Sequence, residues 1–286
     1  MKIISARAAL AAMMIPAMSV LSCLPGCNGD DTAGGTEPAG DGSWDRVKAA
    51  GKIIVGTSVG YPPFEFYTAE AQIDGFDIAL MDEIGRRLGV QVEYQNFAFD
   101  GLGSALSLGQ IDAAIAAISV TPEREAVVDF TNVYFVGEDG VLAVEDSGID
   151  AVDSLDDLGA LRIGAQRRTV YDDWLQANLV DTGQLPADQL LVYEEAEDAV
   201  ADLVQDRVDL VMLDAQPALA FAAQGGVKVV GGGFNQQRFA VALPKGATSL
   251  KTQIDGILTN LYNEGFVAGL AKEYLDLDPD HILPTP

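Results

Sequence analysis

Arg124 and Asp214 are the two charged side chains whose surroundings best suit recognition of a small zwitterion. Arg124 closes the segment Ser119-Val120-Thr121-Pro122-Glu123-Arg124 after an apolar run over 111–118, and Asp214 ends the apolar run that begins at Val208. A carboxylate is matched by a guanidinium fork together with free backbone N–H groups and a hydroxyl, and an ammonium is matched by an anion. Tyr61, in Tyr61-Pro62-Pro63-Phe64-Glu65-Phe66, and Phe99, in Phe99-Asp100-Gly101-Leu102, follow other apolar runs and can sandwich the apolar part of a ligand. Each residue also has a plainer reading: Arg124 in an ion pair with Glu123 or Glu125, Asp214 as a helix cap before Gln216 and Pro217, the aromatics as core. What favours a site is their common placement, directly after predicted strands, where sheets of this type put ligands.

Catalytic equipment is scarce. The sole histidine, His281, lies in a Pro-rich tail, and the chain has no G-x-S-x-G, no P-loop and no zinc-ligand spacing. Asp276, Asp278 and Asp280 alternate as in a calcium loop but lack its glycine and terminal glutamate. No metal or cofactor is expected. A lyase or dehydratase on the same scaffold is the competing reading, and it would have to move protons with Glu65 or Glu138.

The elements that must position these residues read as βα units. Lys52 opens a first strand; Phe76, Leu80, Ile84 and Leu88 recur on one helical face and stop at Gly89; Val90, Val92 and Tyr94 alternate as a strand. A helix over 102–108 and a doubly buried strand over 111–118 follow. A second set begins near Val141, with strands over 161–165, 190–193, 208–213 and 227–230. Gly109-Gln110-Ile111-Asp112-Ala113 and Asp206-Arg207-Val208-Asp209-Leu210 occupy the same place in each half, a faint echo of two similar lobes. In the tail, Ile254, Ile257, Leu258 and Leu261, then Phe266, Leu270 and Tyr274, mark helices expected to pack back on the first lobe. With 286 residues, 49% hydrophobic, the chain has enough apolar material for two cores.

Lys2 and Arg7 precede an uncharged run over 8–20, which reads as an export signal. Its end carries the only cysteines, Cys23 and Cys27, in a setting that resembles the lipobox of bacterial lipoproteins, with Cys27 favoured for lipidation because a Gly/Thr/Asp/Pro-rich tether starts after it. If that resemblance holds, no disulfide forms within the chain. The formal charge of −26 repels phosphate backbones and argues against nucleic acid; it speaks to solubility rather than to the site.

The order of motifs is what carries a family resemblance: Gly56-Thr57, Tyr61-Pro62-Pro63-Phe64-Glu65-Phe66, Gly75-Phe76-Asp77-Ile78, Phe99-Asp100-Gly101-Leu102, Thr121-Pro122-Glu123-Arg124, Val128-Asp129-Phe130-Thr131, then the 208–214 run and the 239–246 run. The series resembles the polar amino-acid binding proteins of bacterial ABC importers and extends from Trp44 to Tyr274. The resemblance implies an α/β fold of the two-lobed type II periplasmic binding class, a Venus flytrap of mostly parallel sheets flanked by helices. It implies a first lobe of 44–137 plus 239–286, a second of 138–238, and hinge crossings near 134–138 and 238–242, after a signal over 1–27 and a tether over 28–43. It implies that Arg124 and Ser119 hold the ligand α-carboxylate with backbone help near Ala117, that Asp214 holds the α-ammonium, that Tyr61 and Phe99 stack on the side chain, and that Gln166 and Thr169 reach in from the second lobe. The implied protein is a monomeric, lipid-anchored, extracytoplasmic receptor that passes an α-amino acid to a membrane permease.

Two departures bear on the ligand. Receptors for basic amino acids in this family resemble Gly-Thr-Asp where this chain has Gly56-Thr57-Ser58, so neutral polar or acidic ligands are favoured over basic ones. Relatives resemble Gly-Thr-Thr or Gly-Thr-Ser where Arg168-Thr169-Val170 stands, so Arg168 either narrows the site or faces a ligand carboxylate, unless Arg167 and Arg168 pair with Asp172 and Asp173 at the rim.

Overall fold

The computed structural model describes residues 41–277. The export signal, the cysteines, most of the tether and His281 lie outside them. Ser43–Ala50 (α1) ends on Gly51, whose φ of 68° allows the tight turn into Lys52–Thr57 (β1). A short hairpin of Phe66–Tyr67 (β2) and Ile73–Asp74 (β3) leads to Phe76–Leu88 (α2), closed by Gly89 as its spacing predicts, and to Gln91–Asn96 (β4). Leu102–Ser107 (α3), Ala113–Ala114 (β5), Pro122–Glu125 (α4) and Val128–Phe130 (β6) complete the first pass. The second set comprises Phe135–Val144 (β7), Ile163–Gln166 (β8), Val170–Leu175 (α5), Leu190–Tyr193 (β9), Ala196–Val204 (α6), Leu210–Asp214 (β10), Ala215–Ala223 (α7) and Val227–Phe239 (β11). Ala242–Pro244 (β12), Thr248–Asn263 (α8) and Phe266–Leu275 (α9) return to the first set.

Two five-stranded sheets form, in the orders β4-β1-β5-β12-β6 and β11-β7-β10-β8-β9. This is the expected two-lobed α/β architecture, with a refinement: each sheet is mixed. The β4-β1-β5 and β10-β8-β9 halves are parallel, whereas β12 runs antiparallel to its neighbours in the first sheet and β7 to its neighbours in the second. The antiparallel strands β7, β11 and β12 are those on which the chain leaves one sheet and comes back. Leu250, Ile254, Leu258, Leu261 and Val267 share one core with Ile53, Val55 and Leu80, so the tail helices pack on the first lobe.

Three details depart from simple patterning. The run over 111–118 is wholly buried, yet only Ala113–Ala114 forms a regular strand, because Ala117 takes a left-handed φ of 46° and turns the backbone away. β11 runs nine residues beyond the expected end at Val230, past register shifts at Gly231 and Gly232. A Cβ at Gly231 would stand 2.3 Å from the Val152 carbonyl oxygen, and one at Gly232 2.3 Å from that of Asp139, so only glycine lets the strand pass. The faint internal echo is structural: Asp112 and Asp209 each accept a backbone N–H from the neighbouring parallel strand, Ile54 at 2.9 Å and Arg162 at 2.7 Å, while their own N–H groups return to the same two residues.

Where the chain crosses between sheets, β7 and β11 run side by side, with Phe135 opposite Phe239 and Glu138 opposite Gln236. At their first-lobe end, Phe135 and Phe239 pack with Phe64 at ring separations of 5.5 and 5.4 Å. An aromatic cluster thus anchors both crossings in one lobe.

Candidate functional site

A cavity lies between the two sheets. The first lobe lines it with Ser58, Tyr61, Glu65, Phe99, Ala117, Ser119 and Arg124, and the second with Gln166, Thr169, Tyr171 and Asp214. Eight of the nine residues expected from sequence therefore meet at one place. The ninth, Arg168, does not line it.

Arg124 sits in the four-residue α4, started by Thr121 as cap and Pro122 at the first helical position. Its fork donates to two carbonyls, Ser119 O at 2.8 Å and Arg168 O of the other lobe at 2.9 Å, rather than to Glu123 or Glu125. The guanidinium lies 5.2 Å from the Phe99 ring centre, so Phe99 backs the cation as well as walling the cavity. Burial pushes the Arg124 pKa down, with Asp173 opposing and Arg168 reinforcing that shift. Two backbone oxygens satisfy its donors without neutralising its charge.

Asp214 ends β10 and stands at the N-cap of α7, but its carboxylate caps nothing. It accepts the Tyr61 hydroxyl at 2.6 Å and the Tyr171 hydroxyl at 2.5 Å, while its own N–H donates to the Tyr61 oxygen at 2.9 Å. Tyr61 is thus more than a stacking surface, since it joins the lobes through its polar end. Burial raises the Asp214 pKa to about 7 despite the two phenols. Both phenols are in turn pushed well up by burial and by that carboxylate.

Thr169 caps α5 and donates its hydroxyl to Gln166 O at 2.7 Å; the Gln166 amide donates to Glu194 O at 3.0 Å. Arg168, between them, takes a φ of 60° in the left-handed region that glycine favours. Its side chain lines the clefts on either side, beside Asp100 and beside Asp173, and its carbonyl receives Arg124. It acts on the cavity through its backbone. Arg167 reaches neither Asp172 nor Asp173 but Asp100 of the first lobe, at 3.7 Å.

Two residues that the sequence did not assign to the cavity wall shape it. Tyr171 lies 43 residues from the Asp214 it holds, and no periodicity links the two. Glu65 is 1% exposed, with Oε2 lacking a hydrogen-bond partner, and the Ser58 hydroxyl of the same cavity lining is likewise unpartnered. Burial, Asp77 and Asp214 push the Glu65 pKa well up. Its place inside a turn pinned at both ends, with Gly60 and Tyr61 N–H both donating to Glu65 O, was the available signal.

The profile of the bacterial extracellular solute-binding proteins, family 3, matches residues 53–276. The L-cystine-binding protein TcyJ of Escherichia coli (strain K12) is 25% identical over 243 residues, 84% of this chain and 88% of that protein. The L-arginine-binding protein of Pseudomonas aeruginosa is 27% identical over 235 residues, covering 79% and 88%. Among solved structures, the P235GK mutant of ArgBP from T. maritima has a TM-score of 0.75 at 28% identity, covering 82% of this chain and 100% of that one.

Proposed function

We propose, on the premise that this chain belongs to the bacterial extracellular solute-binding proteins, family 3, that it captures an α-amino acid between its lobes and delivers it to the permease of an ABC importer. The named relatives are transport-binding proteins, and this chain is a binding protein rather than an enzyme. The observation that carries the reading is the opposition of Arg124 and Asp214 across one cavity, a cation and an anion from different lobes, neither neutralised by a counter-ion of its own. In this reading Arg124, with Ser119 and Thr169, takes the α-carboxylate, and Asp214 takes the α-ammonium between Tyr61 and Phe99. The lobes are 44–137 plus 239–286 and 138–238, and β7 with β11 is the hinge.

Glu65 revises the reading of the side chain. Ser58 removes the usual anion for a basic ligand, but Glu65 returns a carboxylate to the same wall, with an unpartnered oxygen. An ammonium or guanidinium there would draw the Glu65 proton off and pair with its carboxylate, whereas a ligand carboxylate would have no cation to meet and would face Asp214, and like charges in a dry site repel strongly. Side chains bearing donors, as amide, ammonium or guanidinium, are favoured over acidic ones. Ser58 alone points to neutral polar or acidic ligands, and a screen of the common amino acids separates the two preferences.

A thermal-shift screen of the common amino acids tests the function, because a ligand of the folded state alone raises Tm by RT ln(1 + [L]/Kd). Glutamine, lysine, arginine or a related donor-bearing ligand should shift it; a shift from glutamate alone defeats the side-chain assignment, and a flat screen defeats the function. The protein works outside the cytoplasm, as its family does, and no helix among the described residues is long and apolar enough to cross a membrane. Lipidation at Cys27, or at Cys23, completes the proposal; intact-mass analysis of membrane-extracted protein reads the acyl chains directly.

A further inference from the structure

We infer that Asp77, which does not line the ligand cavity, is a positioning residue whose single oxygen Oδ2 fixes the Ala117 wall of the site and ties it to Tyr134 at the crossing between lobes. The inference rests on the amino-acid receptor reading for its affinity readout, and on geometry alone for a second one.

Asp77 is in the first turn of α2 and fully buried. Its Oδ2 accepts the Ala117 N–H at 2.7 Å and the Tyr134 hydroxyl at 2.8 Å, while Oδ1 has no partner. The same turn holds the loop that carries Tyr61 and Glu65, since the N–H groups of Phe76 and Asp77 donate to Pro63 O at 2.9 Å and Phe64 O at 3.0 Å. One helix end thus grips three segments: the aromatic loop, the 116–119 wall, and the residue before β7. Ala117 is a non-glycine residue at φ 46°, a conformation that persists only where its surroundings impose it. The Asp77 bond imposes it. It also consumes the Ala117 N–H, which is therefore not available to a ligand carboxylate.

Such a group is costly as a mere core filler. Those facing it are Glu65 from the aromatic loop, Asp214 from β10 and the Tyr134 phenol, none of which is a cation. An apolar side chain would fill the space without that penalty, so the two hydrogen bonds are its reason to be there. Because both fall on one oxygen, an amide can keep them: Asp77→Asn places its carbonyl at Oδ2 and its NH₂ where Oδ1 is unpartnered.

The test compares Asp77→Asn, Asp77→Ser and Tyr134→Phe, with calorimetry against whichever amino acid the screen identifies and amide hydrogen exchange at Ala117. Asp77→Asn should bind within about threefold of the wild type, and Asp77→Ser about tenfold or more weaker in its folded fraction, the scale of one to two hydrogen bonds to a charged group. Tyr134→Phe, which leaves the Ala117 bond in place, should weaken binding severalfold with little change in Tm. Ala117 exchange should be slow in the wild type and Asp77→Asn and fast in Asp77→Ser. Loss of binding in Asp77→Asn equal to that in Asp77→Ser would show that charge, not geometry, is at work and overturn the inference. So would wild-type affinity in both Asp77→Ser and Tyr134→Phe. If no amino acid binds the wild type, the receptor reading fails, yet Ala117 exchange still decides whether Asp77 holds the wall.

Discussion

Ligand affinity should fall as the medium is acidified from pH 8 to pH 5, and Asp214 sets the size of the effect. Its pKa of about 7, raised by burial, means that the carboxylate needed by an α-ammonium is half protonated near neutrality. Binding must remove that proton, so the apparent Kd scales as 1 + 10^(pKa − pH), roughly twofold at pH 7, about elevenfold at pH 6 and about a hundredfold at pH 5 relative to the fully ionised site. At pH 6 about 0.9 proton should leave per ligand bound, most of it from Asp214. Arg124 holds its charge throughout this range, and a zwitterionic ligand does not change ionisation, so neither masks the slope. Isothermal calorimetry at each pH, repeated in buffers of different ionisation enthalpy, reads both the Kd and the proton count. Asp214→Asn, tested with a ligand whose side chain is neutral, provides the control, with weak binding and a much shallower slope. An affinity constant between pH 5 and 8 in the native protein, or an undiminished slope in Asp214→Asn, refutes the assignment of Asp214 to the ammonium. Stability of the ligand-free protein runs the opposite way with pH, since a carboxyl whose folded pKa is raised favours the fold below its unfolded value and loses that contribution as pH rises to its folded one. Asp77, also near 7, adds to that trend, so the ligand-free Tm should decline from about pH 4 to pH 7.

Arg124→Ala should weaken binding by well over tenfold, because removing one partner of a buried charge pair costs about 2–5 kcal/mol; calorimetry giving an unchanged Kd would falsify its role. Glu65→Gln should narrow the preference for cationic over neutral side chains at constant pH, and competition between arginine and glutamine measures the ratio before and after. Gly232→Ala should lower Tm by several degrees, since the new Cβ would meet the Asp139 carbonyl at 2.3 Å on a backbone of φ 152°, and an unaltered melting curve would show that β11 yields freely there. Arg167→Ala should cost little, under about 1 kcal/mol of closed-state stability, because its ion pair with Asp100 is long and half exposed.

The sequence made some of this site legible and hid the rest for identifiable reasons. Arg124 and Asp214 could be found because strand ends are predictable from apolar runs, and the topology then brings those ends to one cleft. The crossings could be placed by family resemblance, and Phe135 opposite Phe239 is where the structure puts them side by side. Tyr171 could not be found, because its contact with Asp214 depends on how α5 is seated against β10, a tertiary fact with no local period. Arg168 stands off the cavity for a related reason: its left-handed backbone turns the carbonyl toward Arg124, while the residue itself is exposed and lines the neighbouring clefts. The burial of Glu65 is not legible in the sequence, because it is the grip of α2 on its loop that buries it.

The contacts around the cavity also constrain how closure can be coupled to binding. The structure already joins its lobes through Tyr61 to Asp214, Arg124 to the Arg168 carbonyl, and Arg167 to Asp100. A ligand stabilises the closed form only by contacts better than those it displaces, since an effector shifts an equilibrium by its differential affinity alone. Against Arg124 the gain is large, because a carboxylate replaces neutral carbonyls as the partner of a buried cation. Against Asp214 it is also large, because an ammonium replaces phenols as the partner of a buried anion. In the proposed reading, the two ends of an α-amino acid are therefore the parts that would close the protein. In the same reading, a ligand side chain at Glu65 would add selectivity on a wall that belongs to the first lobe. Ligands that lack one of the two charges should occupy the cleft weakly and leave the lobes apart, which small-angle scattering with an amino acid and its α-amide would distinguish.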